Sequence, residues 1–416
     1  MTGQADMRPR FHFTAPRGWI NDPHGITYRD GQYHLFYQHV PDSLEWAPNC
    51  HWGHALSPDL FLFEALPIAI APGDGDDGIW TGCLVNDRIF YTSVEQPDLG
   101  RGRVRIATPL DAEWINWQKG EVVAETPADV SAYRDPFVFR DGTQWRMWVG
   151  AALKDDSAAA LSYVSDDLDH WTYDGIALQR SRQDRDPVWT GAMWECPQLL
   201  ELDGRHVMIT SVWDDDVLHY VTCAIGDHRA GKFHPETWGR LTFGDSHYAP
   251  TYFQDAAGRP CLTFWLRNIA DPEAGWTGAH SIPYVLHLDA DRLVATPHPG
   301  LTAYRTTNTQ LQGLAADLTW TGTNLTISSG PHPVATITTT PTDLTLRVDE
   351  ESWTMPYDAG PVRVILDGPI LELATGRGLL AAAITPTTDV LSITTDGDLH
   401  ELSALDASAD RPRTGW

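Results

Sequence analysis

A hairpin turn of the Asp-Gly type, followed by a short aromatic or apolar run, occurs five times along the first 266 residues. The instances are Asp30-Gly31 before YHLFYQHV, Asn86-Asp87 before IFYTSV, Asp141-Gly142 before WRMWVGA, Asp203-Gly204 before HVMITSV, and Ala257-Gly258 before PCLTFWL. Turns of this kind are tight connections between antiparallel strands. Successive turns are 56, 55, 62 and 54 residues apart. A period near 50 residues, with several strands in each unit and almost no helical periodicity, predicts an all-β chain built as a propeller, one blade per repeat. Five repeats predict a five-bladed β-propeller. Ser57-Pro58-Asp59-Leu60 and Ser165-Asp166-Asp167-Leu168 occupy matching places in units one and three, as a true repeat requires.

Composition changes near residue 300. Fifteen of the 18 tryptophans precede it, and no cysteine follows Cys261. Beyond residue 313 the chain alternates Thr, Leu, Ile and Val in runs such as DLTLRV and VRVILD, which predicts a β-sandwich with Trp320 and Trp353 in its core. The expected organisation is a catalytic propeller over 1–300, a linker over 301–312 and a sandwich over 313–416.

The formal net charge of −27 disfavours nucleic acid and anionic membrane partners. There is no apolar run of spanning length, and residues 1–10, charged and without an apolar stretch, lead to the expectation of no secretory signal. The five cysteines lack metal-ligand or paired spacing, so a cytoplasmic protein without metal or cofactor is expected. Nothing in the sequence sets an oligomeric state.

One strand precedes each turn, and in a propeller that strand lies nearest the axis. Three of the five carry an acid followed by proline, directly or one residue later: Asn21-Asp22-Pro23, Arg134-Asp135-Pro136 and Glu195-Cys196-Pro197. Pro23 restricts Asp22 to extended backbone. The other two carry Trp80-Thr81-Gly82 and Tyr248-Ala249-Pro250. A second Arg-Asp-Pro, at 185–187, does not precede a turn at the same distance and is assigned to a loop. Three acids would therefore converge at one end of the axis. Clustered carboxylates can hold a hard cation or cleave a glycosidic bond, which needs two acids in different protonation states. Trp19, Trp46, Trp52, Trp80 and Trp194 lie on or near these segments; they would either face a sugar or fill gaps between blades. Arg134 should favour ionised Asp135. Glu195, set between Trp194 and Cys196-Pro197 in an apolar surrounding, is the expected general acid, and Asp22 the expected fixed nucleophile.

These residues resemble a known family. WINDPHG is similar to the WMNDPNG box of family 32 glycoside hydrolases, the invertases and fructan hydrolases. Tyr133-Arg134-Asp135-Pro136 resembles that family's FRDP box and Trp194-Glu195-Cys196-Pro197 its ECP box, in the same order. The likeness spans roughly residues 11–305. It implies a five-bladed propeller joined to a β-sandwich, and a retaining hydrolase that releases terminal fructose from sucrose, fructo-oligosaccharides or fructans, with transfer to another sugar as a side path. Carried over, Asp22 attacks the fructose anomeric carbon, Glu195 serves as acid and then base, and Asp135 with Arg134 holds fructose hydroxyls. Asn21, Gln38, Trp46 and Trp52 would shape the fructose subsite. Trp80 stands where the family usually has Phe and would face the leaving group. His24 replaces an Asn and is expected to act as a substitute hydrogen-bonding side chain; Tyr284 replaces an Arg. Two other functions fit three acids on a propeller: an arabinan- or xylan-cleaving glycosidase, and a fructan-binding protein without catalysis.

Overall fold

The hairpin turns form where the sequence places them. In the computed structural model, which describes residues 7–306, 311 and 313–408, Asp30, Asn86, Asp87 and Asp203 take left-handed backbone at φ 50°, 48°, 61° and 52°, and Gly142 and Gly258 at 61° and 76°. Only residues that tolerate positive φ close such two-residue turns at little cost. Between them the chain is all β. Three four-stranded antiparallel sheets run in simple up-and-down order over 78–124, 130–181 and 193–240. The Arg185-Asp186-Pro187 stretch lies in the loop before the third of these, as expected.

The first and last repeats share one nine-stranded sheet. Strand Gly18–Arg29 pairs antiparallel with Gln32–Val40 and, on its other side, parallel with Trp276–His280, through Gly18 opposite Trp276 and Trp19 opposite Thr277. Gly278 sits beside this join at φ 85°, and a Cβ there would lie 2.1 Å from the carbonyl oxygen of Ile20. The first strands of the five repeats pack in a cycle: Gly18–Arg29 against Gly78–Val85, then Val130–Asp141, Met193–Leu202, His247–Gln254, and back to the first. They enclose a cavity lined by Ile26, Leu84, Val138, Gln198 and Tyr252, one residue from each.

The later strands form a pair of sheets. One has six strands and includes Thr242–Phe243, a short piece of the earlier region that runs parallel to Gly378–Ala383. The other has five. Leu318, Trp320, Ile337, Leu346, Leu371 and Leu380 are fully buried between them. Trp320 is a core residue, and its indole donates to Thr395 Oγ1 at 2.6 Å. Trp353 packs at the edge of that core. Of the expected linker, 301–304 complete a 3₁₀ turn and Arg305 bridges to Leu405; 307–310 and 312 lie outside the described residues, as do 1–6 and 409–416. Among the described residues, no helix is long and apolar enough to cross a membrane.

A buried polar hub joins the two regions. Glu372, on strand Ile370–Thr375, accepts from His12 Nε2 at 2.7 Å, Ile282 N at 3.0 Å, His247 Nε2 at 2.8 Å and Tyr284 Oη at 2.7 Å. The other ring nitrogen of His12 lies 2.9 Å from Asp367. Burial opposes a charge on His12, but its two carboxylate neighbours prevail and raise it to about 9. Tyr284, the departure from the family's Arg, is thus one of the groups that satisfy a buried carboxylate.

Candidate active site

Each first strand breaks its ladder at the same level. The pairing register of Gly18–Arg29 skips from Ile20 to Pro23, that of Gly78–Val85 from Trp80 to Gly82, and that of His247–Gln254 from Tyr248 to Thr251. Asp135-Pro136 and Cys196-Pro197 are bulged in the same way opposite Val149 and Thr210. Proline has no N–H to give a ladder, so a bulge is where a strand can hold it, and a bulge re-aims neighbouring side chains. Asp135, Cys196 and Ala249 adopt φ of 65°, 49° and 41° here. Left-handed backbone at non-glycine residues persists only where the surroundings enforce it.

The bulges bring the three acids together. Asp22 is buried; its Oδ1 accepts from Asn21 Nδ2 at 3.1 Å, and its Oδ2 from Gln38 Nε2 at 3.1 Å and Thr81 Oγ1 at 2.6 Å. Gln38, which also contacts Thr81, is the one residue opposite the Asn21-Asp22 bulge. Asp135 accepts from the backbone N–H of Cys196 at 3.0 Å. The Cys196 thiol lies 3.8 Å from both Asp22 Oδ2 and Asp135 Oδ2 and so links the two acids. Glu195 accepts from Arg134 Nε and Nη2 at 3.0 and 2.8 Å on one oxygen, and from Tyr248 Oη at 2.6 Å on the other.

Two electrostatic expectations need correction. Arg134 does favour ionised Asp135, as expected, but its guanidinium is paired with Glu195 and burial of Asp135 outweighs it. Successive strand residues point to opposite faces, and here Arg134 reaches the neighbouring strand while Asp135 turns to the axis. Burial pushes Asp135 up to about 8; Arg134 opposes this, and the nearby charges of Glu195 and Asp22 add to it. Burial likewise raises Asp22 to about 6, against the Thr81 hydrogen bond and with the Glu195 charge adding to the rise. The expected apolar surrounding of Glu195 is also absent. Trp194 points the other way into a core and is fully buried, leaving Glu195 between a guanidinium and a phenol.

Of the expected sugar-facing residues, Asn21, Gln38 and Arg134 touch the acids. Trp46 is 47% exposed and meets half-buried Trp80 edge to face at 5.8 Å, while the Trp80 indole donates to Pro48 O at 2.9 Å. Trp52 is a correction: at 0% exposure it cannot touch a ligand. Its indole donates to Trp80 O at 3.0 Å and its ring packs on His24 at 3.8 Å, so it supports the floor of the site. His24 is also corrected, for neither ring nitrogen has a hydrogen-bond partner among the described residues. It is a flat filler, and burial holds it neutral.

Sequence reasoning missed Thr81, Tyr248 and the Cys196 thiol. The signal was present: Thr81 and Tyr248 stand on the two first strands that lack an acid, at the level of the acids. Asp255, Cys261 and His298 also approach one another, the grouping nearest a metal site among the described residues. His298 Nδ1 accepts from Gly300 N, which leaves Nε2–H to donate to Asp255 Oδ2 at 3.0 Å, and Arg259 Nε donates to the same oxygen at 2.5 Å. The cluster is a closed hydrogen-bond network.

The scaffold is all β and gathers three carboxylates from separate strands into one cluster, and comparison with known proteins gives its class. Residues 12–297 match the model of the glycosyl hydrolases family 32 N-terminal domain. A sucrose-6-phosphate hydrolase of Zymomonas mobilis is 34% identical over 323 residues, 70% of this chain and 62% of the relative. A levanase of Bacillus subtilis is 32% identical over 366 residues, 79% of this chain and 51% of that protein. A β-fructofuranosidase structure from Bombyx mori superposes with a TM-score of 0.81 at 24% identity, covering 96% of this chain and 93% of the other. The fructan 1-exohydrolase IIa of Cichorium intybus does so at 0.79 and 21%, covering 97% of each. The chain belongs to glycosyl hydrolase family 32. It spans about three fifths of the length of the sucrose-6-phosphate hydrolase it matches.

Proposed function

We propose that this protein is a retaining β-fructofuranosidase that removes terminal fructose from sucrose, fructo-oligosaccharides or fructans. The observation that carries the reading is the single cluster of Asp22, Asp135 and Glu195, drawn from three strands and tied through Cys196 and Arg134. The ionised Asp22 carboxylate, fixed by Asn21, Gln38 and Thr81, attacks the anomeric carbon. The glycosidic C–O bond breaks as Glu195 gives a proton to the leaving oxygen. Water then loses a proton to Glu195 and attacks the same carbon, which frees Asp22 and releases fructose. Asp135 and Arg134 hold fructose hydroxyls. Trp46 and Trp80, an aromatic pair in which Trp80 directly precedes the Asp22 donor Thr81 on its strand, stack on the sugar.

The fold reading belongs with this proposal. The cycle of five first strands around a cavity supports a five-bladed propeller up to about residue 300, and the two later sheets support a sandwich from about 313. Five cysteines without disulfides support a reducing compartment such as the cytoplasm. Family 32 membership leaves the arabinan- or xylan-cleaving alternative without support.

The test is fructose release from sucrose, a short inulin-type oligosaccharide, inulin and levan, beside a Glu195→Gln variant. Release from at least one, reduced by roughly 10³-fold in the variant, is the expected result. A folded protein that releases nothing from all four, yet binds a fructan, would favour the non-catalytic alternative.

A further inference from the structure

Two buried segments back the candidate acids from behind, and both end on one carboxylate of the later region. The first begins at His247. Its Nε2 donates to Glu372 Oε2 at 2.8 Å, and the next residue, Tyr248, donates its phenol to Glu195 Oε2 at 2.6 Å and contacts Val212 O at 3.1 Å. The second is His280-Ser281-Ile282. Ile282 N donates to Glu372 Oε1 at 3.0 Å, and His280 Nε2 donates to the carbonyl of Asn21 at 2.7 Å, directly behind Asp22. Asn21 in turn holds Asp22 Oδ1.

We infer that Glu372 is a positioning residue for the reaction: through His247–Tyr248 it places Glu195, and through Ile282–His280 it places the bulge that carries Asp22. The inference rests on the fructosidase reading of the site.

The chemistry supports a role beyond packing. A carboxylate buried at 0% exposure is costly unless its lone pairs are satisfied. Glu372 receives four donors from three separate stretches of chain, so the position of each stretch is tied to one point. Burial disfavours its charge, yet the donors on His12 and His247 hold its pKa well below the usual carboxylate range. The link to the acids is short on both sides. The Tyr248 phenol belongs to the residue directly after the His247 anchor, and only Ser281 separates the His280 ring from the Ile282 anchor. A shift of the anchor would therefore reach both acids together, and misplacement by about 1 Å can cost roughly 10²-fold in rate. By this route the later region would contribute to turnover without meeting the sugar.

The experiment compares Glu372→Gln, His247→Leu and His247→Gln with Leu371→Ala. Leu371 is a fully buried core residue beside Glu372 on the same strand, and serves as a control for lost stability. For each folded protein, kcat and KM for sucrose or the best fructoside are measured, with the pH profile of kcat/KM. The expected result is a fall of about 10- to 100-fold in kcat for Glu372→Gln, a change under about threefold in KM, and movement of the pH limbs. His247→Leu should share part of the loss and His247→Gln, which keeps a donor, should regain it. Leu371→Ala should lower Tm yet leave kcat within about threefold of wild type. Equal kcat in Glu372→Gln and Leu371→Ala would overturn the inference. Should Glu372→Gln fail to fold, the His247 pair decides: equal kcat in His247→Leu and wild type overturns it. If the wild type releases no fructose, the functional reading fails instead. Crystal structures of wild type and the His247 pair then judge the positioning alone, by whether the Tyr248–Glu195 contact lengthens in His247→Leu and is kept in His247→Gln.

Discussion

Asp22 depends on its donors more than on its strand. Burial pushes its carboxyl up to about 6, and Thr81 is the first group that opposes this. Thr81→Val keeps the shape and removes the 2.6 Å hydrogen bond. Without that donor the raised pKa rises further, so the acid limb of kcat/KM should move to higher pH by roughly one to two units, because a hydrogen bond to a charged group contributes about 1.5–3 kcal/mol. A pH–rate profile of the variant checks this; an unmoved limb would mean that Asp22 does not set it. The acids themselves were legible from Asp22-Pro23, Asp135-Pro136 and Glu195 two residues before Pro197. Their electrostatics were not. Neighbourhood in sequence placed Arg134 beside Asp135 and Trp194 beside Glu195, whereas alternation along a strand sends each of those side chains away from its neighbour. Trp52 misled for a related reason, since a tryptophan on a site-forming strand can face either side of it.

At the scale of elements, the turns and strand order were readable because Asp-Gly and Asn-Asp pairs have few other uses between apolar runs. The bulges were not read, although the prolines that force them were in view. Nor could the parallel pairing of Gly18–Arg29 with Trp276–His280 be inferred from local pattern, since it joins residues far apart in the chain. Gly278 marks that join. Gly278→Ala would place a methyl against the Ile20 carbonyl in left-handed backbone, and a loss of about 2–4 kcal/mol is expected, from the clash and the unfavourable φ together. Denaturant unfolding of the variant measures it; wild-type stability would show that the two strands can part without cost.

The whole molecule carries titrating groups of opposite sense. Burial lowers His34, His228 and His280 to about 4 and His54 to about 3. A depressed histidine binds its proton more readily when unfolded, so these four remove stability as pH falls from about 6.5 towards 4. His12 is raised to about 9, so its contribution is full below about 6.5 and is lost as pH rises through 9. Asp22 and Asp135, both raised, weaken the fold as pH climbs through their ranges, starting near 4. The four histidines act against acid from about pH 6.5 downward and Glu372 joins them only below about 4.5, so Tm should peak near pH 6–7, fall by several degrees by pH 5, and fall on the alkaline side between about pH 7 and 9. Calorimetry across that range reads it, and a monotonic rise of Tm down to pH 4.5 would contradict the assignment.

The join between the first and last repeats also has a consequence in time. His280 and the Asn21 carbonyl it grips are 259 residues apart. At synthesis rates of about 5–20 residues per second, the strand bearing Asp22 waits roughly 10–50 s for that partner to be made. The strand bearing Asp22, made well before its partner, is thus among the last in this region to gain its full set of neighbours, and until then the nascent chain carries the Asp22 carboxylate without the ring that backs it.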